Sequence, residues 1–210
     1  MLRPLSRKVE MAALGRHSQD EHGRGLMCKI ALQSSSVQLA VLALALLDTS
    51  CATGQRGFPA RDGIANFDRV DEQVYRGAEI NNLGIAHLHH LGIGTVIDLR
   101  REREKSPTEE FATKENAMCY VPKPMSGIGR PDAHQVKEIL DTIGKSRRPV
   151  YVHCKYGCDR TGTIIACYRI QRHHWTAEAA LREAAVYGMS WSEYSMRQFV
   201  RDFARAQVSK

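Results

Sequence analysis

Cys154 and Arg160 are separated by five residues in a segment that reads HCKYGCDRTG from residue 153 to residue 162. A thiolate is a strong nucleophile, but a free cysteine with a pKa of about 8.5 is mostly protonated at neutral pH, so it needs a positive environment. The segment follows a β-branched run at 149–153 and precedes a helical pattern, so backbone N–H groups and a helix N-terminus can converge near the thiol. Such a bowl suits a phosphate group, of which a guanidinium grips two oxygens.

The residues that follow the cysteine are predicted to form the wall of this phosphate site. The predicted phosphate-binding set is Lys155, Tyr156, Gly157, Cys158, Asp159, Arg160 and Thr161. Glycine permits the tight backbone path that turns successive N–H groups towards one point. His153 and the Thr161 hydroxyl are placed to orient the sulfur or to hydrogen-bond to it. Cys158 either fills space or pairs with Cys154 in a protective disulfide, and both alternatives are open.

Strands and helices alternate on both sides of this segment. Apolar and β-branched runs predict short strands at 74–76, 95–99, 119–121 and 149–153. Apolar residues at helical spacing predict helices at 83–91, 108–117, 133–143, 161–172, 176–187 and 192–207. The charges between Arg100 and Lys105 alternate in sign, which is typical of a solvated loop, and the alternative for Arg100 is that it approaches the site from the end of its strand. The alternation of strands and helices predicts an α/β fold.

The segment 153–162 resembles the signature loop of protein tyrosine and dual-specificity phosphatases, His-Cys-x5-Arg-Thr-Gly between a strand and a helix. Residues 66–77 and 91–100 are similar to the start of small atypical dual-specificity phosphatases of bacteria, plants and fungi. The resemblance covers residues 64 to 203 and implies a small central, mostly parallel sheet flanked by helices. It also implies a two-step mechanism without metal or cofactor, in which Cys154 forms a cysteinyl-phosphate that water hydrolyses.

The resemblance further implies an aspartic acid that protonates the leaving oxygen and later deprotonates the water. Asp132 is predicted for this catalytic role, because it lies ahead of the signature and no other acidic residue occurs between it and Cys119. The same carboxylate also fits the N-cap of the following helix. Asp159 is the alternative acid, because it resembles the Asp-Arg-Thr ending of lipid-phosphatase signatures.

Composition limits the partners that this chain can have. Its 30 Lys and Arg residues exceed its 23 Asp and Glu residues, for a net charge of +7, but they form no block of the kind that follows a nucleic-acid backbone. We therefore expect a mild preference for anionic ligands, no nucleic-acid partner and a monomer. The six cysteines have neither zinc-ligand spacing nor the density of a disulfide scaffold, so we expect no metal site and mostly free thiols.

The first quarter of the chain differs from the rest. Residues 37–47 form its most apolar run, which is far shorter than the ~20 residues that span a bilayer but suits a signal peptide. Ser50 and Ala52 are small residues at the positions that a signal peptidase reads, and Cys51 is an alternative lipoprotein acceptor. The predicted organisation is a leader at 1–52 with a signal peptide for export to the periplasm, a linker at 53–63 and a phosphatase domain at 64–208. Cytoplasmic or membrane-anchored placement is the alternative.

The leading functional prediction is therefore a phosphomonoester phosphatase that acts on phosphotyrosine, and also on phosphoserine or phosphothreonine, in proteins. An inositol phosphate or phosphoinositide phosphatase is the alternative, favoured by Lys155, Asp159 and the basic balance of the chain. A catalytically dead phosphate-binding module belongs to another class, and the intact Cys154 and Arg160 argue against it. A sulfurtransferase also uses a loop cysteine, but the Arg-Thr-Gly helix start argues against that class.

Overall fold

A computed structural model of the chain describes residues 56–208. The predicted leader and its signal peptide lie outside the described residues. The strands are β1 (Asp68–Arg69), β2 (Val74–Gly77), β3 (Thr95–Asp98), β4 (Cys119–Pro122) and β5 (Val150–His153). The helices are α1 (Asn82–His90), α2 (Pro107–Glu115), α3 (Ala133–Lys145), α4 (Asp159–His173), α5 (Ala177–Val186) and α6 (Tyr194–Val208). A 3-10 turn lies at Glu102–Glu104.

The five strands form one sheet in the order β1-β2-β5-β3-β4. Only the two-residue β1 is antiparallel to its neighbour, and the other pairings are parallel. The central strand β5 is buried along its whole length, as expected for a strand with helices on both faces. The predicted α/β fold with a small, mostly parallel sheet flanked by helices is confirmed.

Two hydrophobic cores cover the two faces of the sheet. The larger core contains the apolar stripe predicted for α3, which includes Val136 and Ile139, together with residues of α4, α5 and α6. The smaller core contains Ile85 and Leu88 of α1, packed with Tyr151 of β5. Burial of these stripes fixes the sheet between the helices, and so it fixes the direction in which each strand ends.

The carboxyl ends of the parallel strands β3 and β5 meet at one edge of the sheet. Asp98 at the end of β3 is in register with His153 at the end of β5. The loop that contains Cys154 and the segment that follows β3 therefore share this edge, which is where ligands bind in parallel α/β sheets.

The segment after β3 is only partly the solvated loop that its alternating charges predict, because Glu102 and Arg103 are exposed but Arg100 and Glu104 are not. Arg100 is completely buried, and the 3-10 turn contains Glu104, whose side chain is only 16% exposed. The reason is that Arg100 pairs with Asp98 and Glu109, and Glu104 pairs with Arg160. Among the described residues no helix is long and apolar enough to cross a membrane.

Candidate active site

The strand β5 leads directly into a loop that contains the predicted nucleophile. Cys154 follows β5, is 3% exposed, and is a free thiol. The loop ends at Cys158, and α4 begins at Asp159, so the predicted clamp Arg160 lies in the first turn of that helix with 6% exposure. The N-terminal N–H groups of a 15-residue helix thus accompany the thiol and the guanidinium, as the strand-loop-helix pattern predicts.

Cys154 and Arg160 open onto the same cavity, which has a volume of about 270 Å³. Of the predicted phosphate-binding residues, Tyr156, Asp159 and Arg160 line this cavity, whereas Lys155, Gly157, Cys158 and Thr161 form the loop and helix start without lining it. The lining residues are Arg56, Arg101, Glu104, Gly127, Ile128, Cys154, Tyr156, Asp159, Arg160, Ser190, Ser192 and Glu193. The Thr161 hydroxyl is buried and has no hydrogen-bond partner among the described residues.

Arg160 is held by a carboxylate that the sequence interpretation missed. Its Nη1 and Nη2 donate to the two carboxylate oxygens of Glu104 at 2.8 and 3.2 Å. Although burial opposes the change, hydrogen bonds from Arg160 and Arg101 lower the pKa of Glu104 to about 2. Glu104 therefore remains ionised at any working pH and fixes the guanidinium at the cavity wall.

The back of the loop is interlocked with strand β2. Gly157 has a φ of +69°, and a Cβ there would lie 2.6 Å from the carbonyl carbon of Gly77. The completely buried guanidinium of Arg76 donates from Nη2 to the Gly157 carbonyl at 2.8 Å and lies 3.7 Å from the ring centre of Tyr187. Only glycine fits this approach, so the curl of the loop is set by its contact with the sheet.

Asn66 supports the loop from another direction. Its Nδ2 lies 2.8 Å from the Tyr156 carbonyl oxygen, 3.0 Å from the Arg56 carbonyl oxygen and 3.3 Å from the Cys158 sulfur. Burial raises the pKa of the Cys158 thiol to about 11. Cys158 is a free thiol in this structure and fills space under the loop, and pairing with Cys154 remains untested.

Asp159, the alternative acid, is tied at both carboxylate oxygens. Arg56 Nη2 lies 2.5 Å from Asp159 Oδ2, and the Ser190 N–H donates to Oδ1 at 2.8 Å. This carboxylate therefore joins three parts of the cavity wall, namely the segment before β1, the start of α4 and the loop between α5 and α6.

Asp132, the predicted acid, lies at the N-terminus of α3. Its Oδ1 accepts the Gln135 N–H at 2.8 Å, which is the N-cap geometry that competes with the catalytic role in the sequence. Asp132 is exposed and is not one of the residues that line the cavity. Its role as the acid stays a prediction.

A buried polar cluster lies behind the nucleophile. Arg100 donates to Asp98, and its Nη2 also donates to Glu109 Oε1 at 2.7 Å. That same Glu109 oxygen lies 3.2 Å from His153 Nε2. Burial is the largest cause that raises the pKa of Glu109 to about 7, and it also lowers the pKa of His153 to about 4. The residue before Cys154 is thus a neutral, completely buried imidazole beside these charges, and neither of its ring nitrogens has a hydrogen-bond partner among the described residues.

Asp98, Glu109 and His153 bring three potential metal-ligand atoms within 4.8 Å of one another. The guanidinium of Arg100 already hydrogen-bonds to both carboxylates of this group. A metal cation would have to displace or repel that buried positive charge, so the donor set does not fit a metal. The cluster is an ion-paired group of Arg100, Asp98 and Glu109 that lies beside His153.

Several residues that line the cavity were missed from the sequence, among them Arg56, Glu104 and Glu193. For Glu104 a signal exists, because the loops after neighbouring parallel strands meet at one edge and β3 is followed by a charged loop. No local sequence pattern indicates that Arg56 or Glu193 lines the cavity. They reach the cavity only through the packing of segments that lie 98 residues before and 39 residues after Cys154.

A buried thiol and a guanidinium on one cavity, at a strand-loop-helix junction of a parallel sheet, define the class of cysteine-based phosphatases. Residues 59–202 match the family described as "DSP-PTPase phosphatase fused to NAD+ Kinase". The chain belongs to this dual-specificity and tyrosine phosphatase family, which confirms the predicted resemblance.

Three relatives show the range of the family. The chain is 31% identical over 126 residues to the dual specificity protein phosphatase TpbA of Pseudomonas aeruginosa, covering 59% of this chain and 55% of the relative. The crystal structure of P. aeruginosa TpbA has a TM-score of 0.60 at 24% identity and covers 74% of this chain and 98% of the other. The chain is also similar to two Arabidopsis thaliana proteins.

The first Arabidopsis relative is the phosphatidylglycerophosphate phosphatase PTPMT2, 27% identical over 146 residues, which are 67% of this chain and 64% of the relative. The second is the inositol diphosphatase DSP5, 25% identical over 150 residues, which are 66% of this chain and 69% of the relative. The chain thus spans little more than half of TpbA, and the three names cover protein, lipid and inositol substrates.

Proposed function

We propose that this protein is a phosphoric monoester hydrolase that uses Cys154 as nucleophile and Arg160 as phosphate clamp. The observation that carries the proposal is that both side chains open onto one cavity at the N-terminus of α4. The arrangement combines a nucleophile, a bidentate cation and a set of helix N–H groups around the volume that a phosphate would fill. The predicted catalytic domain is residues 64–208.

The reaction proceeds in two displacements at phosphorus. The Cys154 thiolate attacks in line, the bond to the leaving oxygen breaks, and a cysteinyl-phosphate forms. Arg160 and the loop N–H groups, from Lys155 to Thr161, balance the charge on the phosphate oxygens. Water then attacks phosphorus, which releases phosphate and restores the thiolate. A carboxyl group must protonate the leaving oxygen, and Asp132 and Asp159 are the candidates that the sequence supplies.

Phosphotyrosine in proteins is the substrate that we favour, with phosphoserine or phosphothreonine accepted as well. Tyr156 and Ile128 line the cavity and are 56% and 73% exposed, so two apolar surfaces flank the phosphate site. An aromatic ring attached to the phosphate can pack between them. The name of TpbA, a dual specificity protein phosphatase, supports this choice.

Inositol phosphates or phosphoinositides are the second candidate. Arg56 and Arg101 line the same cavity as Arg160, and a substrate with several phosphates would meet more than one guanidinium there. Lys155, directly after the nucleophile, adds charge beside the site. The name of the relative DSP5, an inositol diphosphatase, supports this alternative.

The test is phosphate release by the full chain from a phosphotyrosine peptide, a phosphothreonine peptide and inositol hexakisphosphate, with EDTA and reductant present. Cys154→Ser should abolish release while binding of inorganic phosphate persists, because the phosphate-binding loop and Arg160 remain and the nucleophile is lost. Cys119→Ser, at an exposed free thiol, is the matched control and should keep the wild-type rate. Turnover retained by Cys154→Ser would refute the mechanism, and preference for the inositol substrate would establish the second candidate.

We also propose that residues 1–52 direct export, and that the protein acts as a monomer outside the cytoplasm. The support is the apolar run at 37–47 followed by small residues at Ser50 and Ala52. Mass spectrometry of the protein isolated from its native cells should find that the leader has been removed by cleavage after Ala52. An acylated N-terminal Cys51 would establish a lipoprotein, and an uncleaved cytoplasmic protein would refute export.

A further inference from the structure

Arg76 is a buried arginine of strand β2 that has no ion-pair partner among the described residues. It is 1% exposed, and its Nε and Nη1 have no hydrogen-bond partner in the described structure. Its Nη2 donates to the carbonyl oxygen of Gly157, in the loop that follows the nucleophile. Arginine is rarely buried without a paired anion, because an uncompensated buried charge costs free energy. A contribution to stability therefore does not explain this guanidinium.

Two carboxylates lie on the elements that pack against Arg76, and both are engaged elsewhere. Asp68 of β1 is in register with Arg76, but it accepts the hydroxyl of Tyr187. Glu183 of α5 is ion-paired with Arg169 at 2.6 Å. The Tyr187 ring itself lies against the guanidinium, with its centre 3.7 Å away. Arg76 thus contacts an aromatic ring and a backbone carbonyl instead of an anion.

The hydrogen bond from Arg76 fixes the direction of one peptide group in the loop. The Gly157 carbonyl and the Cys158 N–H belong to the same planar peptide, so they point in opposite directions. Because the carbonyl points to Arg76 behind the loop, the N–H points to the opposite face, where the nucleophile and the clamp open onto the cavity. No described residue accepts a hydrogen bond from this N–H. It is therefore available for a phosphate oxygen.

The guanidinium groups that line the cavity are all neutralised by carboxylates of the same wall. Arg56 pairs with Asp159, and Arg101 and Arg160 both pair with Glu104. The lining residues include as many carboxyl groups as guanidinium groups, three of each. A phosphate ester brings a charge of about −1.5 to −2 at neutral pH. The wall alone therefore supplies little net positive charge to balance the substrate.

We infer that Arg76 is a positioning residue of the phosphate site, whose buried charge orients the peptide between Gly157 and Cys158 and helps to hold the phosphate dianion on the loop. The inference rests on the proposed phosphatase function, and Arg76 acts through the loop without touching the substrate. Its hydrogen bond polarises the Gly157 carbonyl, which makes the Cys158 N–H a stronger donor, because hydrogen bonds in series reinforce one another. Since Arg76 is buried, solvent screens its attraction for the phosphate only weakly.

The electrostatic surroundings of Arg76 agree with this role. Burial is the largest cause that lowers the pKa of Arg76, and the ionised forms of Cys154 and Cys158 are among the groups that oppose it. The negative charge of the nucleophile therefore lies within the field of the buried guanidinium. A phosphate that sits against Cys154 lies within the same field.

The test is calorimetric titration of the full chain with inorganic phosphate, comparing the wild type, Arg76→Met and Arg76→Lys. Methionine fills similar space without a charge, whereas lysine keeps the charge and an N–H donor. Arg76→Met should weaken phosphate binding at least about tenfold, and Arg76→Lys by less than about threefold. Arg147→Met is the matched control at an exposed arginine just before β5, at the other end of that strand, and should keep the wild-type affinity.

Urea unfolding separates positioning from structural support. Because an unpaired buried guanidinium costs free energy, Arg76→Met without phosphate should have a urea midpoint no lower than that of the wild type. Saturating phosphate should raise the midpoint of the wild type more than that of Arg76→Met, because a ligand that binds more tightly stabilises the folded state more. A lower midpoint of Arg76→Met in the absence of phosphate would assign Arg76 to structural support and overturn the inference.

A measurement on the wild type keeps the inference testable if Arg76→Met does not fold. In an amide correlation spectrum of isotope-labelled protein, the Cys158 N–H resonance should move during titration with phosphate, and a resonance that stays in place would overturn the inference. Phosphate binding by Arg76→Lys that is as weak as that of Arg76→Met would overturn it as well.

The outcomes for the inference and for the proposed function are distinguishable. If Arg76→Met binds phosphate as the wild type does while Cys154→Ser is inactive, the inference fails and the phosphatase mechanism stands. If phosphate binding depends on Arg76 but the wild type hydrolyses no phosphomonoester, the proposed function fails and the positioning role stands. A wild-type protein that neither binds phosphate nor hydrolyses its esters would overturn both.

Discussion

The free energy of unfolding of the wild type should be nearly constant between pH ~5 and ~7, whereas that of Glu109→Gln should depend on pH over the same range. In the folded protein, burial raises the pKa of Glu109 from 4.5 to about 7 and lowers the pKa of His153 from 6.5 to about 4. Near pH ~5.5 the folded protein therefore holds a protonated carboxyl and a neutral imidazole, whereas the unfolded chain holds a carboxylate and an imidazolium. Each state binds one proton at these two groups, so their contributions to the pH dependence cancel.

The two groups act on stability with opposite signs. The raised pKa of Glu109 contributes stability that is complete below pH 4.5 and is lost as the pH rises through about 7. The lowered pKa of His153 leaves stability complete above pH 6.5 and reduces it as the pH falls towards about 4. Between pH ~5 and ~7 each contribution changes by about 2 kcal/mol. Burial is the largest cause that lowers the pKa of His153, Asp98 opposes it and Arg100 adds to it, and Glu109 is not among these causes, so the substitution leaves the histidine contribution in place.

The assay is urea unfolding followed by far-UV circular dichroism at about pH 5, 6 and 7. The free energy of unfolding of the wild type should change by a few tenths of a kcal/mol over this pH range. That of Glu109→Gln should increase by about 2 kcal/mol as the pH rises, which corresponds to an increase of about 1 M in the urea midpoint. Glu110→Gln, at an exposed carboxylate that pairs with Lys114, is the matched control and should follow the wild type. A Glu109→Gln profile as flat as that of the wild type would refute the opposing pKa shifts of Glu109 and His153.

Three further substitutions probe the phosphate bowl. Gly157→Ala should abolish turnover and vanadate binding together, because the new Cβ would lie 2.6 Å from the Gly77 carbonyl carbon; calorimetric titration with vanadate measures this. Asn66→Ala should lower the free energy of unfolding by about 2 kcal/mol, because it removes the amide that donates to the Tyr156 and Arg56 carbonyl oxygens and accepts the Phe58 N–H, and urea unfolding checks it. Arg160→Lys should weaken vanadate binding at least about tenfold although the charge is kept, because an ammonium lacks the planar pair of donors.

Each of these three expectations has a contrary outcome. Vanadate affinity retained by Gly157→Ala would mean that the loop curls without contact to strand β2. Unchanged stability of Asn66→Ala would mean that water replaces the amide under the loop. Equal vanadate affinity for Arg160→Lys and the wild type would show that charge alone, rather than the bidentate fork, holds the phosphate.

The parts of the site that are close in sequence could be predicted. Strand β5, the loop and the first turn of α4 are continuous, so the types of Cys154, Gly157 and Arg160 and the spacing between them already define the local geometry. The α3 helix was equally accessible, because its apolar stripe has helical spacing and Asp132 occupies the N-cap. The ends of the predicted strands and helices differ from those of the structure by at most two residues, and only the short strand β1 of the described residues was not predicted.

The parts that depend on distant packing could not be predicted. Alternating charges after β3 indicated a solvated loop, yet Arg100 is buried, because its partner Glu109 comes from α2 and its partner Asp98 from the end of β3. The short strand β1 has only two residues and no apolar alternation that would mark it. Glu193 reaches the cavity through a loop whose course depends on the packing of α5 and α6.

Arg56 shows that the fold and the active site begin at different points of the chain. The family match begins at residue 59, but the Arg56 side chain pairs with Asp159 and its carbonyl accepts from Asn66. A recombinant protein that begins at residue 59 and keeps the C-terminus would retain all the strands and helices of the described residues, the nucleophile and the clamp. It would nevertheless lose one wall of the cavity and a support of the loop, so good expression and a native circular dichroism spectrum would not guarantee activity. The safe place to cut therefore lies before Arg56.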